Sequence, residues 1–105
     1  MSSTRSSVAA INARFGAHLA RALVAAGVEH VVVSPGSRST PMVLGFDACS
    51  GVRMHPVLDE RAAGFVALGI GRATGRPAVV LCSSGSAGGH LLPAAIEAFH
   101  SRVPL

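Results

Sequence analysis

A chain of 105 residues, half of them hydrophobic and only 13% charged, has room for one small domain with ample apolar material for a core. Its formal net charge of +4 comes wholly from arginine, nine Arg and no Lys, so the chain contains neither a P-loop lysine nor a Schiff-base lysine. The arginines are scattered, and four Phe with no Trp or Tyr offer few stacking platforms, which argues against a nucleic-acid groove.

Other classes fall away on similar grounds. No apolar run reaches the about 18 residues that a membrane span needs. Cys49 and Cys82 lie far apart and in no CxxC pattern, so they read as reduced, buried thiols of a cytoplasmic protein. The excess of Ala, Val and Leu over charge implies that some apolar surface meets another domain or subunit.

In chain order, Met1 to Ser7 is polar and Ser-rich and lacks the apolar core of a secretory signal. Residues 1–11 read as a disordered leader, and the domain is expected over 12–105. Asn12 is a candidate N-cap. After it Phe15, Leu19 and Leu23, with Ala20 and Ala26, recur at helical spacing, and Gly27 suits a C-terminal stop. His30 to Ser34 carries three consecutive valines, the pattern of a strand buried on both faces. Pro35 and Gly36 break it, and Pro41 suits the first turn of a short helix to about Ala48. Arg53 to Leu58 is a weaker strand, interrupted by Pro56. Asp59 caps a helix that stops at Gly75. Ala78 to Cys82 is a third buried strand, followed by a tight turn, Ser83-Ser84-Gly85-Ser86. A last helix is expected from about Ala87 to His100, with Leu91, Leu92, Ala95, Ile96 and Phe99 on its apolar face. Ser101 to Leu105 reads as the entry to a fourth strand.

Alternating helices and strands predict an α/β fold, a parallel sheet with helices on both faces and right-handed crossovers. Ligands of such sheets meet the carboxyl ends of the strands. Three segments fall there: Ser34 to Ser39, Asp59-Glu60 and Ser83 to Ser86. Glu60 has two readings. A carboxylate in the first turn of a helix is favoured by the helix dipole. Facing a cleft, it could instead be a desolvated carboxyl that shares a proton with a heterocyclic nitrogen. Arg38, in a Gly-containing loop, is either solvated or grips a carboxylate or phosphate bidentately.

Several superficial motifs fail. Ser84 stands where a G-x-S-x-G nucleophile elbow centred on Ser86 needs its first glycine. Gly69, Gly71 and Gly75 sit inside a predicted helix, so close packing on small residues replaces a dinucleotide fingerprint. The histidines show no metal-ligand spacing, and no metal site is expected in this chain. Among them His90 alone stands near the Gly-rich turn.

The segments Val31–Pro41 (VVVSPGSRSTP), Leu58–Arg61 (LDER), Ala67–Gly69 (ALG), Ala73–Pro77 (ATGRP) and Leu92–Ala94 (LPA) together resemble the N-terminal part of the MenD family. These are the thiamine-diphosphate-dependent 2-succinyl-5-enolpyruvyl-6-hydroxy-3-cyclohexene-1-carboxylate synthases of menaquinone biosynthesis. The resemblance covers nearly all of Asn12 to Leu105. It implies a partial pyrimidine-binding domain and a reaction: decarboxylation of 2-oxoglutarate, then addition of the succinyl-semialdehyde carbanion to isochorismate. It implies that Glu60 is catalytic and bonds N1′ of the cofactor aminopyrimidine, and that Ser84, Gly85 and Ser86 form the turn beside the cofactor. Ser37 and Arg38 match substrate-site positions. The diphosphate and Mg²⁺ site, a Gly-Asp-Gly segment in a separate domain, is expected outside this chain. The full-length enzyme is expected to be a homodimer or homotetramer, with no nucleic acid and no membrane span. Ser86 stands for the family's usual threonine, and Gly88, Gly89 and His90 replace a more regular helix start. The alternatives are another thiamine-diphosphate carboligase or decarboxylase of the acetolactate-synthase type, and a non-catalytic truncated fragment.

Overall fold

The computed structural model describes residues 2–105, with side chains from residue 7 onward. Met1, part of the expected leader, lies outside the described residues. The elements are α1 (Ser2–Ala25), β1 (His30–Val33), α2 (Thr40–Asp47), β2 (Arg53–Pro56), α3 (Glu60–Thr74), β3 (Val79–Leu81) and α4 (Leu92–Ser101). Short 3₁₀ turns, Ser37–Ser39 and Gly85–Leu91, precede α2 and α4.

All three strands are parallel, in the order β2-β1-β3. β1 is central, as its valine run predicts: Val31 and Val32 are fully buried. Val31 packs with Ala20, Val28 and Phe46 under α1 and α2. Val32 packs with Ala63, Ala67 and Ala78 under α3. Both faces are therefore covered, and the alternation along one strand assigns each valine its layer. The chain steps from β1 to β2 through α2, then back past β1 to β3 through α3. Crossovers of one hand put those two helices on opposite faces, as observed.

The caps follow the sequence. The Asp59 carboxylate accepts from the Arg61 N–H at 3.0 Å, and Gly75, at φ 72°, closes α3. Pro41 occupies the first turn of α2. Pro56, which cannot donate to a ladder, ends β2 at a sheet edge. Gly16 and Gly45 let α1 and α2 cross closely: a Cβ on Gly16 would stand 2.5 Å from the Pro41 carbonyl oxygen, and one on Gly45 2.6 Å from the Gly16 carbonyl oxygen. Within the Gly69-Ile70-Gly71 segment, Gly71 lies against Val103 and Pro104, whereas nothing closely neighbours Gly69.

Five expectations need correction. Helix α1 starts at Ser2, so residues 2–11 are helical where a disordered leader is expected, and Asn12 lies inside the helix. The stretch has no Gly or Pro and carries Ala9 and Ala10, so the packed part of α1 extends backwards without a breaker. Second, the last α-helix begins at Leu92 rather than Ala87, with Gly88 and Gly89 held in the 3₁₀ turn and Pro93 in the first α turn. Third, α4 packs through Ala94 and Ala98, while Leu92, Ile96 and Phe99 face outward, Phe99 at 80% exposure. Small residues permit close approach: a Cβ on Gly64 of α3 would meet the Ala94 Cβ at 3.0 Å. Finally, the cysteines are free thiols but half-buried rather than buried. Val103 to Leu105 form no strand.

Candidate functional site

Parallel pairing puts the loops after β1, β2 and β3 at one edge of the sheet. The connections from the central strand diverge between β1 and β3, the switch point at which such sheets open a crevice. Ser34 knits this edge together. It is fully buried; its N–H donates to the Leu81 carbonyl at 2.9 Å, and its hydroxyl donates to the Val57 carbonyl at 2.9 Å. The Val57 N–H in turn donates to the Val33 carbonyl at 2.9 Å. One residue thus sets the exits of all three strands relative to one another.

The first loop bends immediately. The Ser39 hydroxyl, buried, donates to the Gly36 carbonyl at 2.8 Å and closes the turn. Gly36 is required by proximity: its backbone is extended, but an added Cβ would fall 2.2 Å from the Ser83 Cβ. The loops after β1 and β3 are therefore in contact. Ser37 and Arg38 stand exposed on this turn, and among the described residues no carboxylate pairs with Arg38.

On the second loop, Asp59 spends its carboxylate on the helix cap, while Glu60 opens α3 half-buried. Among the described residues no hydrogen bond or ion pair engages the Glu60 carboxylate. The two adjacent acids are thus divided, one engaged by the helix cap and one without a partner among the described residues. On the third loop, Ser84, Gly85 and Ser86 are exposed, with Gly85 at φ 76°. They stand on the loop that leaves β3 at this edge. His90 is exposed further along that 3₁₀ turn.

The structure brings the backbones of the expected site residues to one edge but draws no direct bond between Glu60, Arg38 and Ser84–Ser86. They line an open rim. Cavities lie elsewhere among the described residues: about 480 Å³ along β3 beside Val79 and Leu105, about 430 Å³ between the end of α3 and Val103, and about 420 Å³ between α1 and α2 beside Cys49. Sequence reasoning placed Ser34 in the first of the three segments but missed it as the residue that positions the rim. A polar residue directly after a doubly buried valine run is the signal that could have found Ser34, because a buried hydroxyl needs a partner. Among the described residues no three His, Cys, Asp or Glu side chains cluster as a metal site, and no helix is long and apolar enough to cross a membrane.

Residues 13–105 match the model of the family described as thiamine pyrophosphate enzyme, N-terminal TPP binding domain. The chain belongs to this family. Thiamine pyrophosphate is the cofactor called thiamine diphosphate above. Relatives include proteins named 2-succinyl-5-enolpyruvyl-6-hydroxy-3-cyclohexene-1-carboxylate synthase from three bacteria. The Sorangium cellulosum protein is 56% identical over 85 residues, 81% of this chain and 14% of the relative. That of Chloroflexus aurantiacus is 55% identical over 89 residues, 85% of this chain and 15% of the relative. That of Myxococcus xanthus is 49% identical over 100 residues, 95% of this chain and 17% of the relative. The matches thus span about a sixth or less of the length of these relatives. The three-stranded parallel sheet with helices on both faces is the α/β architecture expected of this N-terminal domain.

Proposed function

We propose that this chain is the pyrimidine-binding part of a 2-succinyl-5-enolpyruvyl-6-hydroxy-3-cyclohexene-1-carboxylate synthase of menaquinone biosynthesis, acting on 2-oxoglutarate and isochorismate. The observation that carries the reading is the similarity to synthases of that name: the Myxococcus xanthus match takes in 95% of the chain and so includes positions 37 to 86. The rim geometry supports it.

Thiamine diphosphate supplies the electron sink that lets a 2-oxo acid lose CO₂ and its remaining carbon attack an acceptor. The chain's own contribution is orientation and proton placement. Glu60, uncommitted at the start of α3, holds a proton at N1′ of the aminopyrimidine. The cap made by the neighbouring Asp59 fixes the backbone at the start of the helix from which Glu60 projects. Ser84, Gly85 and Ser86 lie on the adjoining loop and flank the cofactor ring. Arg38, exposed and without a carboxylate partner among the described residues, binds a substrate carboxylate, with Ser37 beside it. Both substrates are acids, so a fixed guanidinium fork suits either. The residues present fit the pyrimidine end of the cofactor. The diphosphate and Mg²⁺ are assigned to a segment outside this chain, and the working enzyme is a cytoplasmic transferase, a homodimer or homotetramer.

The test uses the complete enzyme with 2-oxoglutarate as donor. Product from isochorismate and none from pyruvate is the expected result. Product from pyruvate alone would overturn the reading in favour of an acetolactate-type carboligase. The 105-residue chain by itself is expected to turn over neither acceptor.

A further inference from the structure

Among the described residues two polar side chains are buried, Ser34 at 0% exposure and Ser39 at 4%. A hydroxyl out of water needs a partner, and each of these donates to a backbone carbonyl. They stand close in sequence, yet their bonds serve different loops. The Ser34 hydroxyl crosses from the end of β1 to the Val57 carbonyl on the β2–α3 loop, at 2.9 Å. The Ser39 hydroxyl turns back to the Gly36 carbonyl, at 2.8 Å, and stays within the β1–α2 loop.

Val57 is thereby held on both sides: its N–H donates to the Val33 carbonyl and its carbonyl accepts from Ser34. Its side chain packs against the cluster of Val32, Ala63, Ala67 and Ala78. Leu58, which follows, is 82% exposed. Val57 is therefore the last residue tied to β1 before Asp59 caps α3 and Glu60 opens it. Removing the Ser34 hydroxyl spares the Ser34 N–H bond to Leu81, so β1 and β3 keep their register while the Val57 carbonyl loses its side-chain donor. Ser39 acts on the other loop. Its hydroxyl closes the turn that carries Ser37 and Arg38. The backbone bonds of that turn are a 3.3 Å contact from the Ser39 N–H to the same Gly36 carbonyl and the bond from the Thr40 N–H to the Ser37 carbonyl.

We propose that Ser34 and Ser39 are two separate positioning residues, Ser34 for the Glu60 carboxylate and Ser39 for the Arg38 guanidinium. Proton placement and substrate grip are then set independently, each by one buried hydroxyl. The proposal rests on the roles assigned above to Glu60 and Arg38. Neither serine touches a reacting atom; each acts through the loop it ties.

Two alanine variants of the complete enzyme test it. Without cofactor, amide hydrogen exchange of the segment 57–63 should quicken about tenfold in Ser34→Ala, the scale of one hydrogen bond, while the segment 36–40 holds. Ser39→Ala should show the reverse. With cofactor bound, Ser34→Ala should slow exchange of the thiamine diphosphate C2 proton about tenfold and leave KM for 2-oxoglutarate and isochorismate within about twofold. Ser39→Ala should raise KM about fivefold and leave the C2 proton rate unchanged. Equal responses of the two segments in both variants would overturn the division. So would a normal C2 proton rate in Ser34→Ala where Glu60→Gln slows it. A normal rate in Glu60→Gln itself overturns the reading of Glu60 instead, and the segment rates still decide whether the two loops are tied separately. Should Ser34→Ala not fold, Ser34→Cys fills the same space with a weaker donor. Its C2 proton rate should also fall, and an unchanged rate would count against Ser34.

Discussion

The two ends of one three-stranded sheet are built on opposite terms. Toward the amino end the polar groups consume one another: Glu29 with Arg76, and His30, at the start of β1, with His55 two residues into β2. At the carboxyl end the buried polar groups are also consumed, Ser34 and Ser39 by backbone carbonyls, but a second set is left over. Glu60, Arg38, Ser84 and Ser86 have no side-chain partner among the described residues. The difference separates two jobs. Paired groups hold the strands, and unpaired groups on a rim fixed by those pairs remain available to a ligand. A parallel sheet enforces this asymmetry, because every strand delivers its exit loop to the same edge.

That contrast can be broken from either end. The largest effect, after loss of Glu60 itself, is expected from Arg38→Lys in the complete enzyme. A point charge replaces the bidentate fork, so KM for the acidic substrates should rise about tenfold or more, with the fold unchanged by circular dichroism. Next is Gly36→Ala, which forces a methyl into Ser83 and pries apart two of the three loops. It should cost about 1–3 kcal/mol in urea unfolding. Asp59→Ala removes the cap beside Glu60 and should cost about 1 kcal/mol, with a drop in turnover that a merely surface change would not show. Smallest is Arg76→Ala at the amino end. Its ion pair is exposed on both sides, 62% and 56%, so the loss should stay below about 1 kcal/mol and fade in high salt.

Much of this was legible in the sequence because the relevant signals are local. Three valines in a row predicted the central strand, and Asp59, Pro41 and Gly75 marked helix ends by their own chemistry. Placement of Glu60, Arg38 and Ser84–Ser86 on one edge followed from the order of elements alone. The rest depends on partners remote in the chain. Ser34 bonds to the carbonyls of Val57 and Leu81, and no local pattern announces a backbone acceptor. Helix α4 departs from its sequence pattern, which marks its largest apolar residues as the packed face. The structure packs Ala94 and Ala98 inward, where size is limiting, and leaves Leu92, Ile96 and Phe99 outward. Phe15 on α1, at 67% exposure, shows the same inversion. Apolar periodicity identifies a helix, whereas which apolar face turns inward is decided by the space its neighbour leaves.

The central claim is that Glu60 is the uncommitted carboxylate of the rim and places a proton on the cofactor. Its most direct test is the exchange rate of the thiamine diphosphate C2 proton in the complete enzyme, wild type against Glu60→Gln. An amide of the same size keeps the helix start but cannot share that proton. The account predicts slowing by about 100-fold or more. A near-normal exchange rate in a folded Glu60→Gln enzyme would contradict it.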